Sequence, residues 1–158
     1  MCIRDRLTPV VGGAAAFGLF YAGALVAKRI PPLEAAVTRV LRYAQQGNPA
    51  LVTTTTLANG LAEEVFFRGA LYAAVGTENP VLKSSLVYSL ATVATRNPAL
   101  VLASVPMGLL FAFQRRVTGG IQAPALTHLT WSVLMLRFLP PLFSDKPSID
   151  DPRAPQHG

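Results

Sequence analysis

The sequence predicts an all-α protein, a polytopic membrane bundle of about five long helices plus one amphipathic helix at the membrane interface. Of the 158 residues, 51% are hydrophobic and only 14% are charged, against about 25% charged residues in a typical soluble domain. The stretch from Leu7 to Ala27 carries no charge, and a helix needs roughly 20 such residues to cross a bilayer. No strand pattern is convincing, and an open strand could not satisfy its backbone groups in lipid.

The first two helices are separated by basic residues and prolines, in the stretch "KRIPP". The first, Leu7–Ala27, is longer than the apolar core of a secretory signal, which has roughly 7 to 15 residues, and is therefore interpreted as a membrane helix. The second, Pro32–Ala44, has an apolar and a charged face, so we expect it to lie at the membrane interface. The two faces are formed by Leu33, Ala36, Val37, Val40 and Leu41 and by Glu34, Arg39 and Arg42.

Glycine, proline and charge mark the ends of the remaining helices, at "QQGNP", "VGTENP", "TRNP" and "RRVTGG". A chain of this length suits one domain, predicted over residues 1–143. Residues 144–158, "SDKPSIDDPRAPQHG", are polar and rich in proline, and are predicted to form a disordered tail. The predicted helices are Leu51–Ala74, Val81–Ala94, Ala99–Phe113 and Ala123–Leu139.

The net charge of +6 comes mostly from arginines that lie between the apolar runs. Charges at the ends of membrane segments suit contact with anionic lipid headgroups, so membrane lipids are expected partners. Nucleic acid is not, because the arginines form no run and have no interleaved aromatic residues. The single cysteine, Cys2, excludes an internal disulfide and a cysteine-based zinc site.

Three charges interrupt an otherwise apolar helix in the stretch "AEEVFFRGAL". Glu64 and Arg68 are four residues apart, share a helix face and are expected to pair. Glu63 is rotated by about 100° from Glu64, and we expect no partner for it on its own helix. An unpaired carboxylate in a bilayer costs several kcal/mol. The charges are therefore interpreted as part of a functional site, and a mere lock between helices is the alternative.

One histidine lies in a predicted membrane helix, His128 in "APALTHLTWSVLML", whereas His157 lies in the polar tail. Ser132 follows His128 by one turn on the same face. A lone histidine on an apolar helix is more often a hydrogen-bonded structural residue than a ligand. Because Glu63 and Glu64 are also present, a joint site that includes His128 is about as well supported as that structural role.

Carboxylates and a histidine on separate helices suit two kinds of chemistry. In the first, a glutamate takes a proton from water and a histidine stabilises the developing charge. In the second, Glu63 and His128 are ligands of a divalent metal such as zinc. A zinc site normally has three protein ligands, and this sequence has one membrane histidine and no HExxH motif. The metal alternative therefore has less support, and no cofactor is firmly expected.

The stretches "EEVFFRG" and "APALTHLTWS" together resemble the CPBP family, which groups CAAX prenyl endopeptidases with bacteriocin-processing and abortive-infection proteins. That family carries Glu-Glu-x-x-x-Arg on one membrane helix, Phe-x-x-x-His on the next, and His-x-x-x-Asn or a similar pair on a later one. The stretch "RRVTGGIQAPALTH" resembles the approach to the last motif. The resemblance covers roughly residues 51–139 and implies an integral protein of a bacterial cell membrane that cuts a peptide or protein substrate there.

The resemblance also implies a role for each matching residue. Glu63 is the implied base that activates water for attack on a peptide bond. Glu64 supports Glu63 and pairs with Arg68. His128 and Ser132 help to bind the oxyanion, and Ser132 stands where the family often has asparagine. A hydroxyl can donate a hydrogen bond at that position, with less reach than an amide.

The second motif departs from the family pattern, because Thr92 stands where the family has histidine. The closest match is Tyr88-x-x-x-Thr92 in "SSLVYSLATVAT". Threonine cannot act as a base near neutral pH, and losing a general-base partner typically costs about 10²- to 10⁴-fold in rate. It can still bond to water or to a carboxylate. Ordinary hydrogen bonds between helices are the simpler interpretation of both residues.

Three functions remain open from the sequence. The favoured one is a membrane-embedded endopeptidase that uses Glu63 and His128. A catalytically degenerate relative that acts as a membrane binding or immunity protein is the second, and Thr92 favours it. A small transporter or proton relay is the third, since intramembrane glutamate and histidine also mark such paths, although the clustering of the polar residues argues against it. The first two predict that Glu63 and His128 face one cavity, close enough to share a water.

Overall fold

The computed structural model describes residues 3–144, and this part of the chain contains no strand. The all-α prediction is confirmed. The predicted tail, apart from Ser144, lies outside the described residues. The helices are α1 (Ile3–Ala27), α2 (Pro31–Gln46), α3 (Pro49–Glu63), a π-helical segment (Glu64–Leu71) that continues α3 directly, α4 (Tyr72–Ala74), α5 (Pro80–Val93), α6 (Pro98–Thr118) and α7 (Gln122–Phe143).

Proline begins four of these helices, at Pro31, Pro49, Pro80 and Pro98. The first turn of a helix does not use its backbone N–H groups, so the missing N–H of proline is harmless there. Asparagine side chains cap two of the same helices. The Oδ1 atom of Asn48 accepts from the backbone of Ala50 at 2.9 Å, and Asn97 caps α6 in the same way. Local sequence therefore sets where these helices begin.

Helix α6 is longer than the sequence predicts, because it continues past Phe113 to Thr118. Arg115 and Arg116 lie in its last turn, where positive charge interacts favourably with the helix dipole. The helix ends at Gly119, whose φ of 71° is a left-handed conformation that suits glycine. The two arginines thus belong to the helix and do not form part of the connection after it.

Helices α1 and α7 pack closely through a glycine. A Cβ added at Gly13 would lie 2.7 Å from the Cβ of Thr130 and 2.8 Å from the carbonyl oxygen of Thr127, closer than side chains normally approach. Helix α3 also packs against α7, and α5 packs against α6. Two small apolar clusters hold these elements together, one built on Ala16, Met107 and Phe111 and the other on Ala24, Leu41 and Leu139.

The amphipathic helix α2 lies across α6 and α7. Its apolar face is turned toward the protein, where Ala36 and Leu41 are buried. The side chain of Asn97 donates to the Ala36 carbonyl at 2.8 Å and joins α2 to the start of α6. The apolar face of α2 therefore covers the bundle itself, and its position at a membrane interface stays a prediction.

The outer surface carries many large apolar side chains, among them Leu19, Val11 and Val117, each at least 66% exposed. Two stretches, Leu7–Ala27 and Pro98–Thr118, are helices long and apolar enough to cross a membrane. An exposed apolar surface of this extent is unusual for a monomer in water and normally contacts lipid or protein.

Candidate active site

The charged stretch identified in the sequence forms the π-helical segment Glu64–Leu71. This corrects the expectation of one regular α-helix over Leu51–Ala74. The wider turns are supported from outside the segment, because Ser84 Oγ donates to the Phe67 carbonyl at 3.0 Å and Arg115 Nε donates to the Arg68 carbonyl at 2.9 Å. π-Helical insertions are rare and often occur at functional sites.

Glu64 accepts two hydrogen bonds in the interior of the bundle. Its Oε1 atom lies 3.1 Å from Arg68 Nη1 and 2.9 Å from His128 Nδ1. The side chains of Glu64 and Arg68 are both 0% exposed, and Arg68 also donates from Nη2 to the Gly108 carbonyl at 3.3 Å. The expected pair of Glu64 and Arg68 is present, and the structure adds His128 to it.

The imidazole of His128 is held on two sides. Its ring stacks on Phe111 with 4.8 Å between ring centroids, and its Nδ1 atom contacts Glu64. An ionised carboxylate only accepts, so Nδ1 carries a proton and Nε2 is the free nitrogen. That nitrogen faces Gly60, where an added Cβ would lie 3.5 Å from it. A glycine on α3 therefore leaves the Nε2 side of the ring open.

Glu63 has a partner for each carboxylate oxygen. Asn59 Nδ2 donates to Oε1 at 2.7 Å, and the Tyr88 hydroxyl donates to Oε2 at 3.2 Å. The expectation that Glu63 has no partner on its own helix is therefore wrong. Asn59 precedes it by four residues, the spacing at which helical side chains meet.

A cavity of about 1210 Å³ lies between α1, α2, α3, α5, α6 and α7. Glu63 and His128 both line it, which confirms that they face one cavity, and their approach close enough to share a water stays a prediction. Glu64 does not line the cavity and is fully buried. The two adjacent glutamates thus occupy different environments, since Glu63 lines the cavity and Glu64 is buried in the protein interior. The remaining predicted site residues that line the cavity are Tyr88, Thr92 and Ser132.

The walls of the cavity differ in polarity. Polar residues of α3 line one side of it, together with Thr92 on α5 and Thr95 just beyond the end of α5. Helices α1 and α2 contribute almost only apolar side chains. The hydroxyls of Thr55, Thr92 and Thr95 donate to backbone carbonyls of their own turns, so the surface exposed to the cavity is mostly apolar. The polar wall includes Thr55, Thr56, Asn59, Thr92 and Thr95, and the apolar wall includes Leu19, Phe20, Leu33, Val37 and Leu41.

Thr92 uses its hydroxyl within its own helix, since Oγ1 donates to the Tyr88 carbonyl at 2.9 Å. The predicted bond between helices is therefore wrong for Thr92, because a helical threonine readily bonds to the carbonyl four residues earlier. The prediction is right for Tyr88, whose hydroxyl reaches Glu63 on α3.

A metal site does not fit these side chains. Within residues 3–144, no group of three or more histidine, cysteine, aspartate or glutamate residues could hold an ion. The His128 Nδ1 atom is directed at Glu64, and the guanidinium of Arg68 lies 3.1 Å from the same carboxylate. A second cation beside Glu64 would be repelled by that guanidinium. The predicted ligands Glu63 and His128 supply two protein donors, one fewer than a catalytic zinc site normally has.

Several residues of the site did not emerge from the sequence. Asn59 had a usable signal in its spacing from Glu63. Gly60, Phe111 and Ser84 had none, because their contacts depend on how separate helices are rotated against one another. The contact in which the Gly108 carbonyl accepts from Arg68 had no signal in the sequence for the same reason.

One comparison with known proteins gives a match. The model of the family described as type II CAAX prenyl endopeptidase Rce1-like matches residues 45–134, more than half of the 158-residue chain. The matched range includes the glutamate pair and His128, and it overlaps the predicted range 51–139. Neither a curated protein nor a solved structure matches the chain.

Proposed function

Because the chain belongs to the Rce1-like family of type II CAAX prenyl endopeptidases, we propose that it is a membrane-embedded endopeptidase in which Glu63 activates water. The family is one of proteases, which supports a hydrolase in general. The position of the Glu63 carboxylate supports the specific proposal most directly. It lines the cavity, whereas Glu64 is fully buried and bonded to Arg68 and His128.

In the proposed reaction, the Glu63 carboxylate takes a proton from water as the oxygen attacks the carbonyl carbon of the peptide bond. A tetrahedral intermediate with a negative oxygen forms. The C–N bond then breaks, and Glu63 returns the proton to the leaving nitrogen. The products are a carboxylic acid and an amine, the acid then passes its proton to the amine or to water, and Glu63 ends in its starting form.

The negative oxygen needs hydrogen-bond donors while the intermediate exists. His128 and Ser132 lie one turn apart on α7 and both line the cavity. A neutral ring with its proton on Nδ1 cannot donate from Nε2, so His128 must take up a second proton in this role. The protonated imidazole then donates to Glu64 through Nδ1 and to the substrate oxygen through Nε2. We assign the oxyanion contacts to these two residues and assign to Glu64 the task of orienting His128.

A catalytically degenerate relative that binds a membrane segment without cutting it is the second candidate, and one observation favours it. Thr92 stands at the family's histidine position, and its hydroxyl is bonded to the Tyr88 carbonyl. That hydroxyl is therefore a poor substitute for a histidine that acts on substrate. In this alternative the cavity holds a peptide, and the glutamates serve the fold.

The deciding experiment is peptide cleavage by the purified protein in lipid vesicles. The substrates are a farnesylated peptide with a CAAX terminus, the same peptide without the farnesyl group, and a library of apolar peptides. A Glu63→Gln variant with an unchanged melting temperature is expected to lose about 10²- to 10⁴-fold in kcat, the usual contribution of a general base. Glu78→Gln, an exposed glutamate outside the cavity, is the matched control.

The possible outcomes separate the candidates. Cleavage that depends on Glu63 supports the endopeptidase. Peptide binding without cleavage by either protein supports the degenerate relative. Equal cleavage by the wild type and Glu63→Gln contradicts the assignment of Glu63 as the base.

A further inference from the structure

Both oxygens of the Glu63 carboxylate are held by donors from different helices. Asn59 on α3 donates to Oε1 at 2.7 Å, and Tyr88 on α5 donates to Oε2 at 3.2 Å. We propose that Asn59 and Tyr88 are positioning residues that together fix the angle at which Glu63 faces the cavity. Their role rests on the proposed function, since it concerns the orientation of the proposed base.

The ring of Tyr88 is itself immobilised on three sides. The guanidinium carbon of Arg68 lies 4.4 Å from its centroid, and the ring of Phe67 packs edge-on at 4.9 Å. The third side is the backbone of Gly108, where an added Cβ would lie only 3.1 Å from Tyr88 Cδ1. A ring held in this way has little freedom to tilt, so its hydroxyl is a fixed donor.

Arg68 therefore acts on both glutamates at once. It bonds directly to Glu64 at 3.1 Å, and it stacks on Tyr88, whose hydroxyl holds Glu63. One buried cation thus orients the carboxylate that binds His128 and the carboxylate that lines the cavity.

Asn59 supplies the constraint that Tyr88 alone cannot. A single hydrogen bond would let the carboxylate rotate about its Cγ–Cδ bond, whereas one donor on each oxygen blocks that rotation. Both partners donate, which matches the ionised form that takes a proton from water. Each oxygen also keeps a second lone pair, so the water still has an acceptor. The arrangement needs no histidine on α5.

Kinetics give the first test. Tyr88→Phe keeps the ring and its packing but removes the hydroxyl, and Asn59→Ala removes the amide. Each is expected to lower kcat by about ten- to a hundredfold, the range for losing one hydrogen bond to a charged group, while KM and the melting temperature stay unchanged. The matched controls are Tyr72→Phe and Thr54→Ala, at two residues that do not line the cavity. The ring of Tyr72 stacks with Arg115.

Both residues act through Glu63, so their effects should vanish without it. In a Glu63→Gln background, adding either substitution is expected to lower the residual rate no further. Suppose that cleavage by the wild type depends on Glu63 and that both single variants keep full kcat. This result would overturn the positioning role and leave the proposed function standing.

A second measurement does not depend on activity. The chain has four tyrosines, so labelling the hydroxyl-bearing ring carbon with ¹³C gives four NMR signals, and Tyr88→Phe identifies the one from Tyr88. In Glu63→Gln this signal is expected to shift, while the signal of Tyr72 stays in place. An unchanged Tyr88 signal would show that the contact is absent and would overturn the inference, whether or not a cleaved substrate is found.

Discussion

Two adjacent glutamates occupy different environments because successive residues on a helix point in different directions. Glu64 is turned into the bundle, where Arg68 and His128 bind it, and Glu63 is turned toward the cavity. The proposed division between a base and an orienting carboxylate follows from this rotation of about 100°.

Arg68 is expected to be essential for stability. Arg68→Leu would leave the Glu64 carboxylate buried beside His128 without its main counter-charge, which typically costs about 3 to 5 kcal/mol. The contacts with the Gly108 carbonyl and with the rings of Tyr88 and Phe111 would also be lost. Thermal unfolding in detergent measures the effect.

Arg116→Leu is the control for this substitution, because Arg116 is exposed at the end of α6. The melting temperature of that variant should match the wild type. Arg68→Lys should fall between the two, since an ammonium keeps the charge but cannot reproduce the planar fork of a guanidinium. An Arg68→Leu protein as stable as the wild type would contradict the role assigned to the buried pair.

At the scale of the element, the π-helical segment connects local sequence to the site. It follows α3 directly, and its carbonyls are supported by Ser84 on α5 and Arg115 on α6. The π-helical segment is thus hydrogen-bonded to both α5 and α6. The spacing of residues in the sequence predicts a helix here but does not reveal the wider turn, because the groups that support it are remote in the chain.

The contact between α1 and α7 yields a prediction about an element. Gly13→Ala is expected to lower stability by about 1 to 3 kcal/mol, the usual effect of forcing extra volume into a packed interface, because the new methyl group would meet the Thr127 carbonyl at 2.8 Å. Unfolding by denaturant measures the change.

Gly18→Ala on the same helix is the matched control. An added Cβ at Gly18 meets no atom within 4 Å, so its stability should not fall. Equal behaviour of the two variants would mean that α1 and α7 do not pack as closely as the structure has them.

At the scale of the whole molecule, the exposed apolar surface and the two long apolar helices support a place in the membrane. The protein expressed in cells is expected to stay in the membrane pellet after extraction with alkaline carbonate, and to leave it only with detergent. Release into the carbonate supernatant would contradict membrane embedding. A membrane protein of known topology, probed in the same fractions, is the control.

The cavity is also a property of the whole molecule. Six helices contribute to it, and α2, which the sequence predicts as an interfacial helix, covers part of it with its apolar face. Its mostly apolar lining suits the apolar part of a peptide substrate. Such a substrate is consistent with the proposed endopeptidase.

The sequence was enough to predict the helical class, the approximate helix limits, the pairing of Glu64 with Arg68 and the position of Glu63 and His128 at one cavity. These follow from local signals, such as residue spacing, proline positions and uncharged runs, together with a family resemblance. The contacts of His128 with Glu64 and of Tyr88 with Glu63 emerge only in the tertiary structure. Those contacts depend on how separate helices rotate and pack, which residue spacing along one helix does not encode.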